Sequence, residues 1–300
     1  MISKDCPLIF THIPKTGGMS MFASMCEYHG MNMADMYNMS AFGDDTAAVE
    51  DVLRDTEKSV YAGHLPFGLH EWLSHPSYYM AIVRKPVDRI MSLYHYSVQY
   101  RNFIRHTKKS TNQSYDELFE NRTAADFYQD FLPWIKAEQT FNRFLRCPSA
   151  ELDNGMVRRF SGIGLHPDLC HQDALDTAKN NIEKYYSIVG VQERYADTVR
   201  MARMAFGVNL TEFHVNKNAD KKKKGPKLSI NQRKRIKETN QLDMQLYDWI
   251  LDRFETQLAN PSEPVKVAGG GRTDFNQMKL WRAIGSSPVR QSVMANSPAV

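Results

Sequence analysis

Short apolar runs, each cut off by glycine, proline or a charge, alternate along this chain with longer stretches of helical spacing. Residues 8–13 (LIFTHI) are apolar and β-branched, the pattern of a buried strand. Pro14 stops the run. Lys15-Thr16-Gly17-Gly18 then predicts a tight turn, and residues 19–28 carry Met19, Phe22, Ala23 and Cys26 at helical spacing. Residues 59–62 and 78–84 (YYMAIVR) predict two more strands. Residues 86–100 predict a helix with proline in its first turn. Residues 172–185 form an amphipathic pattern, 187–191 a strand, and Glu193 opens a helix over 194–206. Residues 229–258 read as one helix with Leu242, Leu246, Trp249, Ile250 and Phe254 on a single face. Strands alternating with helices predict an α/β fold: one domain over 1–258, with a central parallel sheet flanked by helices.

The stretches between these elements are less regular. Residues 30–56 are polar and rich in methionine, and read as loop and short helix, with 46–55 helical. The methionines suit adaptable packing better than metal binding. Residues 97–114 read as a basic, solvated helix end and loop. Residues 115–145 hold aromatics at helical spacing, the pattern of core helices, with Trp134 a position for sugar stacking. Residues 156–162 (MVRRFSG) predict a short helix whose Arg158 and Arg159 either contact an anion or pair on the surface. Residues 259–300, rich in Gly, Ser and Pro, read as a disordered tail in which 275–284 could form a short docking helix.

Chemistry enters at the first turn. A strand, a glycine turn and a helix aim several backbone N–H groups and the positive end of a helix dipole at one spot. Gly17 and Gly18 allow positive φ and leave no Cβ in the way of a ligand. Lys15 adds a charge, and Thr16 and Ser20 add hydroxyls. The result is an anion site, suited to phosphate. It is not a Walker A loop, because Lys15 precedes both glycines instead of following the last one. Taken alone, the same turn could be purely structural.

A second stretch changes the balance. Arg84 ends a strand, and Arg89 and Ser92 follow on the next helix. Parallel sheets bind ligands beyond the carboxyl ends of their strands. Lys15 and Arg84 therefore predict two anion sites facing one crevice, fit for a ligand with two separated phosphates. His64, in Gly63-His64-Leu65-Pro66, lies on a stiff loop beyond a third strand. With an ordinary pKa of ~6.5 an imidazole is mostly free base at neutral pH and can take a hydroxyl proton. A structural histidine is the alternative reading. His70 is a weaker candidate to assist.

Composition narrows the classes. The chain has 300 residues, 42% hydrophobic and 24% charged, which is ordinary for a globular protein. A net charge of +4 suits an anionic ligand but is too small to demand nucleic acid. The ten Lys/Arg between His214 and Lys237 are the strongest charge feature, yet no aromatics interleave them for base stacking. Four scattered cysteines form no C-x-x-C pair, so neither a disulfide framework nor a metal site is expected. His64, His70 and His75 fit no common zinc spacing. No apolar run approaches the ~20 residues that span a bilayer. The first strand begins almost at once, so no signal peptide is expected, and the expectation is a soluble cytoplasmic protein.

The motifs PKTGGMS and RKPVDRIMSLYHY, each after a strand, resemble the sulfotransferases that use 3′-phosphoadenosine 5′-phosphosulfate (PAPS). The likeness is to the carbohydrate and Golgi-type group that includes heparan sulfate 2-O-sulfotransferase, and it runs over residues 7–258. It implies a P-loop-like fold and no metal. It assigns Lys15, Thr16, Gly17, Gly18, Met19 and Ser20 to the 5′-phosphosulfate, and Arg84 and Ser92 to the 3′-phosphate. It makes His64 the catalytic base and Lys15 the residue that stabilises the leaving group. It implies an acceptor hydroxyl on a glycan, and a basic loop, with Lys217, closing over the nucleotide. The chain departs from the pattern at Ala62, where the heparan sulfate enzyme carries a second histidine. Two other readings stand beside this one: a nucleotide phosphotransferase of the same fold, for which Asp88 is the only acid near either motif, and a non-catalytic nucleotide-binding module.

Overall fold

A computed structural model describes residues 2–29, 33–35, 58–111, 140–163, 170–212, 228–260 and 265–269. Among them five parallel strands form one sheet in the order β2-β3-β1-β4-β5. The strands are β1 (Leu8–Thr11), β2 (Met33–Asp35), β3 (Val60–Gly63), β4 (Tyr78–Val83) and β5 (Tyr186–Val191). The helices are α1 (Gly18–His29), α2 (Pro86–Thr111), α3 (Phe141–Phe144), α4 (Gly155–Ser161), α5 (Gln172–Tyr185), α6 (Tyr195–Phe206), α7 (Ile230–Thr239) and α8 (Gln241–Ala259).

Apolar runs without alternation become strands when both faces are covered. In β1, Leu8 and Phe10 pack with Met21 and Met25 of α1 and Phe206 of α6. Ile9, pointing the other way, packs with Phe160 of α4, Ile182 of α5 and Ile250 of α8. The fold is thus a single α/β domain with helices on both faces of a parallel sheet. No helix among the described residues is long and apolar enough to cross a membrane.

The topology positions the site. From β1 the chain moves outward to β2 and returns through β3, then crosses to the other side of β1 for β4 and β5. β1 is therefore flanked by β3 and β4, with Thr11 opposite both Gly63 and Ala81. The turns that follow these three strands open side by side at the point where strand order reverses, the place where α/β sheets bind ligands.

Four differences from the sequence reading have physical reasons. The stretch 229–258 is two helices, broken at Asn240. Its side-chain amide donates to the carbonyls of Leu152 (2.9 Å) and Ile236 (3.0 Å) and accepts from the Asn154 N–H, so it holds a turn in place of a continuing helix. α2 runs to Thr111, where a loop was expected, and Met33–Asp35 adds an unforeseen edge strand. Residues 265–269, placed by the sequence in the tail, return to the sheet: Ala268 exchanges both backbone hydrogen bonds with Ser77 (2.8 and 2.9 Å). Residues 46–55, Trp134, Lys217 and 275–284 lie outside the described residues.

Candidate active site

The turn after β1 takes a less obvious form than its glycines suggest. Positive φ falls on Lys15 (70°) and Gly17 (89°), while Gly18 is already the first residue of α1. A left-handed lysine is strained. Its carbonyl accepts from Arg84 Nη1 at 3.2 Å, so the turn after β1 is tied to the end of β4. Gly18 is required for another reason: a Cβ there would lie 1.9 Å from Cδ2 of His12. The space that glycine leaves is filled by the His12 imidazole, not by a ligand.

The first turn of α1 carries no acidic residue, so no carboxylate of its own offsets the positive potential at its start. Thr16 is fully buried and its hydroxyl donates to the Ile13 carbonyl at 2.8 Å, so its backbone N–H, not that proton, is what it offers an anion. Met19 is 45% exposed at the mouth of the turn. Ser20 closes it with an N–H bond to the Gly17 carbonyl (3.1 Å).

Lys15 points its ammonium at the face of Tyr96, 3.8 Å from the ring centroid. Burial, and next the charge of Arg84, push its pKa down to about 8. Burial also lowers the pKa of Arg84, against the carboxylates of Asp88 and Glu193. Arg84 Nε is buried with no hydrogen-bond partner among the described residues, a donor left for a ligand. Ser92 lies half-buried in the second turn of α2. Glu193, just beyond β5, accepts from the Lys85 N–H and from the Tyr247 hydroxyl, each at 3.0 Å, and so fixes the Arg84 turn from the far side.

His64 follows β3, and the structure places it beside the Lys15 turn. It is half-buried, and its ring centroid lies 5.0 Å from that of His12. Burial first, then the charges of Arg159 and Lys15, push its pKa down to about 3. His64 is therefore a neutral imidazole at any physiological pH. Its loop is clamped from α4, where the Arg159 carbonyl accepts from the Phe67 N–H at 2.7 Å.

Arg158 and Arg159 form ion pairs, as one of the two sequence readings has it, but in the interior and not on the surface. Both are buried. Arg158 pairs with Asp153 (2.7 Å), and Arg159 pairs with Glu151, which also holds Arg89 (3.1 Å). Asp243 completes this cluster by accepting the N–H groups of Met156 and Val157 at the start of α4 (3.1 and 2.8 Å). His70 does not join the crevice cluster. It sits among Phe67, Tyr79 and Tyr185, with Nδ1 3.0 Å from the Tyr79 hydroxyl, and burial and Lys184 lower its pKa to about 4. No group of three or more potential metal-ligating His, Cys, Asp or Glu side chains occurs among the described residues.

The sequence reading named Lys15, Arg84 and His64, and the structure brings them to three neighbouring strand ends. It missed Tyr96, Glu193 and His12. Tyr96 was legible as the residue one turn beyond Ser92 on the same helix face. His12 was hidden because a histidine at the end of an apolar run looks like part of the strand.

Comparison with known proteins bears on this geometry. The sequence matches the model of the sulfotransferase family over residues 1–249. No curated relative matches the chain.

Proposed function

The chain belongs to the sulfotransferase family, and we propose that it transfers the sulfonate group of PAPS to a hydroxyl of a carbohydrate acceptor. One observation carries the donor assignment. Two cations on adjacent strand ends, Lys15 and Arg84, are joined through the Lys15 carbonyl, and one buried Arg84 donor has no partner among the described residues. A nucleotide with phosphates at both its 5′ and 3′ positions matches such a pair. The amide-rich start of α1 and Lys15 would take the 5′-phosphosulfate. Arg84 and Ser92 would take the 3′-phosphate. Lys217, outside the described residues, is proposed to join them.

Bound there, PAPS supplies an activated sulfonate. The chain's own part is positioning and electrostatics. Lys15 and the 16–19 amides stabilise the negative charge that develops on the leaving oxygen. His64 takes the acceptor proton through a neutral imidazole nitrogen. A base with a pKa of about 3 is weak at rest. Burial is the larger cause of that depression, and negative charge brought beside Lys15 offsets only the smaller share owed to Arg159 and Lys15, so filling the cradle restores part of the basicity of His64. The carbohydrate acceptor rests on the resemblance at Gly63-His64.

The donor assignment is tested by calorimetry with 3′-phosphoadenosine 5′-phosphate and AMP. A charge-assisted hydrogen bond is worth about 1.5–3 kcal/mol, so the nucleotide with both phosphates should bind at least about tenfold more tightly. Equal affinities would remove the two-phosphate reading.

A further inference from the structure

The two halves of the site, the cradle and the base, meet through one side chain. His12 continues the line of β1, its N–H donating to the Gly63 carbonyl at 2.8 Å, which sets it beside His64 on the neighbouring chain segment. Its ring is 3% exposed. It stacks on Phe10 (centroids 5.8 Å, interplanar angle 12°) and meets His64 on another side (5.0 Å, 46°). Its Cδ2–Nε2 edge lies against Cα of Gly18, the first residue of α1. One rigid ring thus touches the start of the anion-binding helix and the proposed base.

We propose that His12 is a positioning residue, a buried imidazole that fixes His64 relative to the anion cradle and keeps water from its inner edge. The inference rests on the reading of His64 as the base. An ordinary core position at this point of the sheet would take an apolar residue, as Leu8 and Phe10 below it do on the same face. A buried imidazole costs desolvation instead. The charged or titratable groups acting on His12 are His64, Arg159, Lys15 and Glu151, and those acting on His64 are Arg159 and Lys15. Burial keeps His12 neutral, so it serves by shape and polarity, and the transferred proton rests on His64.

A residue that works through another has no further effect once the other is gone. His12→Ala should lower kcat by about 10²-fold, the cost of a reacting group misplaced by about 1 Å. In the His64→Ala background the same substitution should leave the residual turnover unchanged. Affinity for 3′-phosphoadenosine 5′-phosphate should stay within about threefold in each variant, because the phosphates are held by other groups. A second arm needs no turnover. NMR titration of His64 in His12→Asn, which keeps a polar planar group in the space, should show its midpoint rising by about one pH unit or more toward 6.5 as water enters. Should the enzyme transfer no sulfonate at all, the base role of His64 fails and the titration alone decides the link to His12. Equal losses in both backgrounds, an unchanged kcat in His12→Ala, or an unmoved His64 titration would each overturn the inference.

Discussion

The ammonium of Lys15 rests 3.8 Å above the ring of Tyr96, in a turn where Arg84 is bonded to the lysine's own carbonyl. An aromatic face is a modest substitute for an anion, worth about 0.5–2 kcal/mol, and can be exchanged for one. Burial and the Arg84 charge put the Lys15 pKa at about 8. An anion binds the protonated form, so affinity for 3′-phosphoadenosine 5′-phosphate should be level between about pH 7, where its phosphates are still dianions, and pH 8. Above it, affinity should fall by up to about tenfold per pH unit, with proton uptake on binding. Calorimetry in buffers of different ionisation enthalpy measures both. Affinity unchanged between pH 7 and about pH 9.5 would refute the assignment of Lys15.

Gly18→Ala tests why the turn needs its second glycine. In a helix alanine is better than glycine by about 0.8–1.0 kcal/mol. Here its Cβ would sit 1.9 Å from His12, and overpacking of that kind costs about 1–3 kcal/mol. The variant should melt at lower temperature than the wild type. In a His12→Ala background the ring is gone, and Gly18→Ala should become neutral or stabilising. The same loss in both backgrounds would mean that the glycine answers to something other than His12.

The cluster around Glu151 makes a stability prediction. Arg89 and Arg159 are buried, and each pairs with this carboxylate. Removing one partner of a buried pair costs about 3–5 kcal/mol, and without Glu151 the two buried arginines keep, among the described residues, only the Asp243 carboxylate, 3.7 Å from Arg89. Glu151→Ala should lower the denaturation midpoint by a corresponding amount. Glu238→Ala, which removes a carboxylate paired with Lys234 (3.7 Å) where both side chains are exposed, should cost much less. Equal effects would show that burial of the cluster does not govern its contribution.

For His64, the expected signature is kinetic. His64→Ala should slow turnover about 10²-fold or more while nucleotide affinity barely changes, since the imidazole serves the acceptor. His64→Asn keeps hydrogen bonding without basicity and should be nearly as slow. A folded variant with near-normal turnover would contradict the base role. A structural histidine would instead lower the melting temperature and weaken all binding together.

The sheet was legible because its strands are buried on both faces and read as unbroken apolar runs, as in 78–83 and 186–191. α5 was legible to the residue, since a one-sided helix shows its period. Met33–Asp35 was not, for three residues at a sheet edge carry no period at all. Asn240 escaped notice because its effect depends on Leu152 and Asn154, which are distant in sequence. The same holds for the site. Lys15 and Arg84 announce themselves by following strands, a local pattern. Arg159 pairing with Glu151, and His12 lying under Gly18, are tertiary relations between residues that are locally unremarkable.

The central claim is sulfonate transfer from PAPS, and incubation with ³⁵S-labelled PAPS and a panel of glycans and small alcohols tests it most directly. The account predicts label on the hydroxyl of a carbohydrate, formed without added metal. It also predicts that Lys15→Ala loses turnover beyond its loss of nucleotide affinity, because the leaving oxygen gains its charge only in the transition state. Label that reaches no acceptor, from a protein that instead turns over ATP with magnesium, would contradict it.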